Sequence, residues 1–119
     1  MQETRRIPRE ELESYFDTFT KHFLRNESTT AVDVEVLTPT LGDQFEAEGA
    51  HLIGVTYDPK ANSVELALES GDHRVFRPTE VWALEESTDG FVNAIELVRS
   101  DGTKDVVRIR RLAVRPRAD

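Results

Sequence analysis

The sequence contains no cysteine among its 119 residues. Disulfide bonds, thiol redox chemistry and cysteine-ligated zinc sites are therefore excluded, and a reducing compartment is the expected location. The chain also lacks any run of about 18 apolar residues, and its opening residues, MQETRRIPREELE, are too polar for a signal peptide. We therefore expect a cytoplasmic protein that does not enter a membrane.

Basic residues are scarce, and many of them lie near the end of the chain. The 15 basic residues face 23 acidic ones, for a net charge of -8. Residues 104–119 nevertheless carry a net charge of +4, and residues 1–103 carry -12. The negative body repels polyanions at long range, which disfavours nucleic acid and anionic lipid as partners. The preference for Arg over Lys is equally consistent with a GC-rich genome and with a salt-adapted host.

The N-terminal part of the chain has the pattern of an amphipathic helix. Pro8 is suited to a first helical turn, and Glu10 and Glu11 follow near the positive end of the helix dipole. Aromatic and apolar residues then recur at three- and four-residue spacings, predicting a helix to about Leu24 whose buried stripe is Leu12, Tyr15, Phe16, Phe19 and Phe23. Such a stripe is typical of a core face covered by a sheet.

The rest of the chain alternates between apolar and polar residues at the period of two that is typical of β-strands. The segment HLIGVTYDPKANSVELAL, residues 51–68, predicts a hairpin with one buried face, turning at Asp58-Pro59. Asp101-Gly102 predicts a second hairpin between residues 91–99 and 104–112. About six short strands result, and Trp82 in one of them is predicted to lie in the core.

No helix separates these strands, so parallel crossovers and dinucleotide-binding folds are excluded. The sequence predicts a single α+β domain over residues 1–119, in which residues 1–6 and 113–119 are flexible tails. In this domain an N-terminal amphipathic helix precedes an antiparallel meander of about six strands. The meander forms either an open sheet or a small barrel of the SH3 or Sm type.

Several segments carry a family resemblance: IPREELESYFDTF, LGDQFEAEG, LIGVTYDPKANSVELAL, DHRVFRP and DGTKDVVRIRR. Together they resemble a family of short bacterial proteins described only as a domain of unknown function. The likeness spans nearly the whole chain, but it consists of turns, alternating strands and one helix. It implies a shared fold and no particular chemistry, cofactor or catalytic residue.

The basic last strand is the first candidate contact surface. Val107 and Ile109 would point inward, so that Arg108 and Arg110 point outward together, with Arg111 and Arg115 extending the basic stretch. Outward arginines are suited to a phosphate, a nucleic-acid backbone or an acidic protein surface. Internal pairing with acidic neighbours, or pairing with a second copy, explains the same pattern.

The three histidines show no metal-binding spacing, and no phosphate-binding loop or nucleophile motif is present. A pocket assembled in space from His51, Asp58, Asp72 and His73 is the remaining route to a ligand site or an enzyme. No cofactor is expected. The leading hypothesis is a non-catalytic binding or protein-interaction domain that contacts a protein partner or forms a homodimer. Nucleic-acid or phosphate binding through the basic strand is the alternative, and an enzyme using His51 and His73 is a weaker one.

Overall fold

A computed structural model describes residues 2–24 and 30–111, and within that part the side chains of residues 23, 30 and 111 are not described. A 3-10 turn, Arg9–Glu11, a two-turn helix α1, Leu12–Phe19, and a π-helical turn, Thr20–Leu24, form the helical segment. Eight strands make up the rest of the described elements: β1 Gln2–Arg6, β2 Thr30–Thr38, β3 Gly42–Asp58, β4 Ser63–Leu68, β5 Gly71–Phe76, β6 Pro78–Glu86, β7 Val92–Arg99 and β8 Lys104–Arg111.

The strands lie in the order β1-β6-β7-β8-β2-β3-β4-β5, and every neighbouring pair is antiparallel. The α+β class and the antiparallel sheet are thus confirmed, although there are eight strands instead of about six. β3 pairs with β2 over residues 42–51 and with β4 over residues 52–58, so it links two parts of the sheet. Among the described residues no strand pairing joins β1 to β5, and the sheet is therefore open.

The two predicted hairpins are present. Tyr57 lies opposite Val64 in the first, and Val98 lies opposite Lys104 in the second. The backbone N–H groups of Lys60 and Ala61 donate to Oδ1 of Asp58, which stabilises the first turn. Alternation and turn residues therefore identified the strands of both hairpins.

The N-terminal residues differ from the prediction, because residues 2–6 form strand β1 and not a flexible tail. Their side chains are exposed on both faces, so no apolar alternation marks the strand. Pairing with β6 sets them in place, with Arg6 opposite Trp82 and Gln2 opposite Glu86. The predicted tail at residues 113–119 lies outside the described residues.

The helical segment covers the core, as its aromatic stripe predicted. Leu12, Phe16 and Phe19 are buried together with apolar residues from β2 to β8. At the end of α1 the Thr20 hydroxyl accepts a hydrogen bond from the backbone N–H of Val55 and donates one to its carbonyl, both at 3.0 Å. Thr20 thereby satisfies the backbone N–H and C=O of Val55, which lies beyond the part of β3 that pairs with β2. The approach is close, since a Cβ on Gly54 would lie 3.4 Å from Thr20 Cγ2.

Candidate functional site

The arginines of the last strand are paired with acids on the neighbouring strand. Arg108 NH1 lies 2.6 Å from Glu35 Oε1, and Arg110 NH2 lies 3.2 Å from Asp33 Oδ1. Hydrogen bonding to Arg108 lowers the pKa of Glu35. Because β2 supplies these carboxylates, two of the arginines that looked isolated in the sequence are balanced by acids of the neighbouring strand. The side chain of Arg111 and the whole of Arg115 lie outside the described residues.

The four residues of the proposed pocket are distributed over the β3–β4–β5 region. His51 lies at the bend of β3, where its carbonyl accepts the backbone N–H of Glu69. Asp72 and His73 begin β5, opposite Ala67 and Leu66 of β4. Asp58 is the last residue of β3 and lies opposite Ser63, the first residue of β4. Its carboxylate accepts a hydrogen bond from the backbone of the turn between the two strands. In the described part of the chain no three His, Asp or Glu side chains cluster in a way that could bind a metal.

His73 instead belongs to an ionic cluster that joins β5 to β7 and β8. Its Nε2 lies 3.0 Å from Asp105 Oδ1, and Arg99 approaches both carboxylate oxygens of Asp105 at 2.7 Å. The Asp105 side chain is 0% exposed. Burial alone opposes ionisation of this carboxyl, but hydrogen bonds from His73 and Arg99 outweigh that effect and hold the pKa of Asp105 below its usual value. The cluster ties β5 to β7 and β8.

A second polar cluster lies in a cavity of about 300 Å³ between α1 and the sheet. The Tyr15 hydroxyl donates to Glu85 Oε2 at 2.8 Å, and Arg5 Nε donates to Glu85 Oε1 at 3.1 Å. Burial and the hydrogen bond to Glu85 raise the pKa of Tyr15. The Arg5 guanidinium also lies 5.2 Å from the centroid of the Tyr15 ring. These contacts fix β1 and α1 against β6.

The outward-facing side of β1, β6, β7, β8, β2 and the first half of β3 is not covered by any of the described elements, and we call it the outer face. Inward-pointing residues of these strands, such as Leu97 and Val107, are buried in the core. The residues that alternate with them point the other way. Many of these are apolar and half-buried or exposed: Leu37, Phe45, Trp82, Leu84, Ala94, Val98 and Val106.

Trp82 belongs to this face, so its predicted core position is wrong. It lies opposite Arg6 on one side and Glu96 on the other, and its neighbours Val81 and Ala83 point into the core. Phe45 lies on the same face and is 54% exposed. Large apolar side chains in this arrangement are typical of a contact surface.

The sequence carried a signal for this face. In β6 to β8, apolar residues occupy both alternating sets: Val81 and Ala83 point inward while Trp82 and Leu84 point outward. A strand that is apolar on both sides is typical of a sheet covered on both faces. That pattern predicts that both faces of the sheet are covered. It does not tell which of the two alternating sets of residues faces the core.

The charges on the outer face are mostly arranged in pairs. Among the described residues four ion pairs lie there: Arg6–Glu80, Lys104–Glu96, Arg108–Glu35 and Arg110–Asp33. Asp43 lies on the same face and is hydrogen-bonded to Glu35. The face is therefore much closer to neutral than the chain as a whole, whose net charge is -8. A partner does not need strong opposite charge to approach it.

Among the described residues no helix has the length and apolar character needed to cross a membrane. A relative is found in Aquifex aeolicus (strain VF5), a protein named "Uncharacterized protein". It is 38% identical over 108 residues, which cover 90% of this chain and 92% of the relative. A family model described as "Family of unknown function (DUF5335)" matches residues 3–117. The resemblance noted in the sequence is thereby confirmed, and the chain belongs to the DUF5335 family.

Proposed function

We propose that this chain is a non-catalytic protein-interaction domain that binds its partner through the outer face. The observation that carries the proposal is the apolar side chains on that face, which come from five neighbouring strands, β6, β7, β8, β2 and β3. Phe45 and Trp82 provide the two aromatic side chains, and aromatic residues are the groups that contribute most to protein interfaces. The half-buried aliphatic residues of the outer face lie between and beside these two aromatic side chains.

The nucleic-acid alternative is weaker because Arg108 and Arg110, the two of its arginines whose side chains the structure describes, already have carboxylate partners. Arg108 and Arg110 would have to leave Glu35 and Asp33 to bind a phosphate. A phosphate that approached them would also meet those two carboxylates. Charge repulsion and the loss of existing hydrogen bonds both oppose that exchange.

The enzyme alternative depends on His73 being available to a substrate. Nε2 of His73 is engaged with Asp105, whose second oxygen is held by Arg99. The cluster is thus internally satisfied, and its carboxylate has no exposed surface. A residue in this position contributes to the packing of β5 on β8 more readily than to proton transfer.

The cysteine-free chain allows a direct test of the proposed function. A Val106→Cys variant carries one thiol at the centre of the outer face, and a Lys60→Cys variant carries one in an exposed turn far from it. Each is labelled with a benzophenone maleimide, mixed with extract of the native host and irradiated. We expect a covalent protein adduct from position 106 and none from position 60. We also expect Phe45→Lys to abolish that adduct.

Either of two results would contradict the proposal. One is the absence of any protein adduct at position 106. The other is an equal set of adducts at positions 106 and 60, because this would mean that the label reports random collisions and not a specific surface.

A further inference from the structure

The outer face has a symmetry that points to its occupant. We propose that a second copy of this chain packs on it face to face, with a two-fold axis running along β8. This inference rests on the proposed function and names the partner for the same surface. In a two-fold contact the same surface of both copies meets itself. Each residue therefore faces the residue that lies at the same distance on the other side of the axis, and the two must be complementary.

The apolar residues occupy mirrored positions on the two sides of β8. Val106 lies at the centre of one row across the strands, opposite Glu96 of β7 and Glu35 of β2. Beyond these, Trp82 lies opposite Glu96, and Phe45 lies opposite Glu35. Trp82 and Phe45 are therefore each two strands from Val106, about 10 Å away on either side. Rotation about β8 sets the Trp82 of one copy against the Phe45 of the other.

A second row repeats the arrangement. Val98 of β7 and Leu37 of β2 both lie opposite Lys104 of β8. They are thus one strand from the axis on either side. The same rotation sets Val98 of one copy against Leu37 of the other, so each row contains apolar contacts. Lys104 on the axis meets the Lys104 of the other copy, and each of the two is paired with Glu96 of its own chain.

The charges near the axis permit this approach. The rotation brings Glu96 of one copy near Glu35 of the other, a like-charge contact if both were unpaired. Glu96 is paired with Lys104 at 3.3 Å, and Glu35 is paired with Arg108 at 2.6 Å. The two bases lie on β8 itself, between the acids, where they neutralise both copies at once. The rotation also sets Asp43, opposite Leu37, near Glu80 of the other copy, where Arg6 neutralises Glu80.

The size of the face is also suitable for a stable dimer. Six strands at about 4.8 Å spacing are about 29 Å wide, and eight-residue strands are about 27 Å long. The product is about 780 Å², close to the roughly 800 Å² that each partner contributes to a standard interface. A small ligand or a short peptide would cover only part of this area.

The first measurement is the mass of the purified full-length chain by light scattering, across micromolar to millimolar concentrations. We expect twice the mass of one chain. Phe45→Lys should weaken association about tenfold or more, since it places a charge in an aromatic contact. The matched control is Phe76→Lys on β5, because Phe76 is 59% exposed and Phe45 is 54% exposed, but Phe76 lies off the outer face. We expect the control to remain dimeric.

Trp82 reports on the same contact, because it is the only tryptophan. Its quenching by acrylamide should increase when the wild type is diluted, and it should be high at every concentration in Phe45→Lys. Unchanged melting temperatures for both Lys variants would show that the fold is intact, as expected for side chains that are more than half exposed. A dimer that persists in Phe45→Lys would overturn the proposal.

Single-cysteine variants locate the axis. With a short bismaleimide, Val106→Cys should cross-link to itself, because the axis runs through β8. Trp82→Cys alone should not, since its symmetry mate lies about 19 Å away, but a mixture with Phe45→Cys should. Self-linkage of the Trp82→Cys variant, or no linkage of the Val106→Cys variant, would overturn this arrangement.

The two proposals fail in different ways. If the wild type is a monomer at every concentration and the benzophenone at position 106 captures a different protein, the second-copy inference is wrong and the proposed function stands. If position 106 captures nothing and the chain is a monomer, both are wrong. An adduct of twice the chain mass together with a dimer in solution supports both.

Discussion

Replacement of Asp105 by Asn should strongly destabilise the protein. The substitution keeps the size and shape of the side chain but removes the negative charge between Arg99 and His73. Arg99 loses a hydrogen bond to a charged acceptor, because the new amide group presents N–H where one carboxylate oxygen had been. The side chain of residue 105 has no exposed surface, so water cannot replace the lost contact.

The magnitude follows from the burial of the cluster. Removing one partner of a buried ion pair costs about 3–5 kcal/mol in the free energy of unfolding. Asn keeps one acceptor oxygen, and the Arg99 side chain is 33% exposed and can be hydrated. We therefore expect the lower end of that range, about 3 kcal/mol. This is a large fraction of the roughly 5–15 kcal/mol that stabilises a typical domain.

Urea unfolding followed by circular dichroism measures this difference. The matched control is Asp72→Asn on the exposed start of β5, for which we expect a change within about 0.5 kcal/mol. A loss below about 1 kcal/mol in Asp105→Asn would refute the argument, because it would mean that the carboxylate is not needed to balance the charges around it.

The pH dependence provides an independent check. The pKa of Asp105 in the folded state is held below its usual value, so ionisation of this group stabilises the fold above about pH 4, the approximate pKa of an unfolded Asp. That stabilisation is lost as the pH falls through the depressed folded-state pKa. The stability difference between wild type and Asp105→Asn should therefore shrink as the pH falls below about 4.

Three further outcomes are expected. Thr20→Val should lower the free energy of unfolding by about 2 kcal/mol, because both backbone groups of Val55 lose their partner, whereas Thr20→Ser should retain most of the stability in urea unfolding. Glu85→Gln should lower the pKa of Tyr15 toward its usual value without reaching it, because the burial of the phenol remains. Ultraviolet titration of the phenol measures this pKa, and an unchanged value would contradict the prediction. Gly49→Ala should cost about 1–2 kcal/mol in urea unfolding because Gly49 has a φ of +62°, and no loss would exclude backbone strain there.

The hairpins could be predicted from the sequence because their signals are local. Asp101-Gly102 and the alternation around Asp58 each involve residues close in the chain, so turn chemistry and pattern are sufficient. Asp105 was missed, although it lies two residues before the inward-pointing Val107 and thus on the same side of the strand. The alternation places Asp105 at an inward position, but an acid is buried only with a partner. That partner, His73, is distant in sequence, so no local pattern indicates the pair.

Strand β1 and the outer face were missed for a different reason. Residues 2–6 form a strand only because the backbone of β6 is available, and such pairing leaves no pattern in exposed side chains. For Trp82, alternation establishes which residues share a side of β6 but not which side is covered. That choice is made by the helix and by β3 to β5, whose positions depend on contacts distant in the sequence.

The pairing of β1 with β6 also has a consequence for the order of folding during synthesis. The partner of Arg6 is Trp82 and that of Gln2 is Glu86, so β1 is synthesised before β2 to β5 but cannot pair until β6 has followed them. The β3–β4 and β4–β5 hairpins can pair much earlier, because their contacts are local. Until β6 is available, Arg5 lacks its contact with Glu85, and the N-terminal segment remains open to chaperones and proteases. A chain that stalls before β6 would therefore leave β1 without its partner strand.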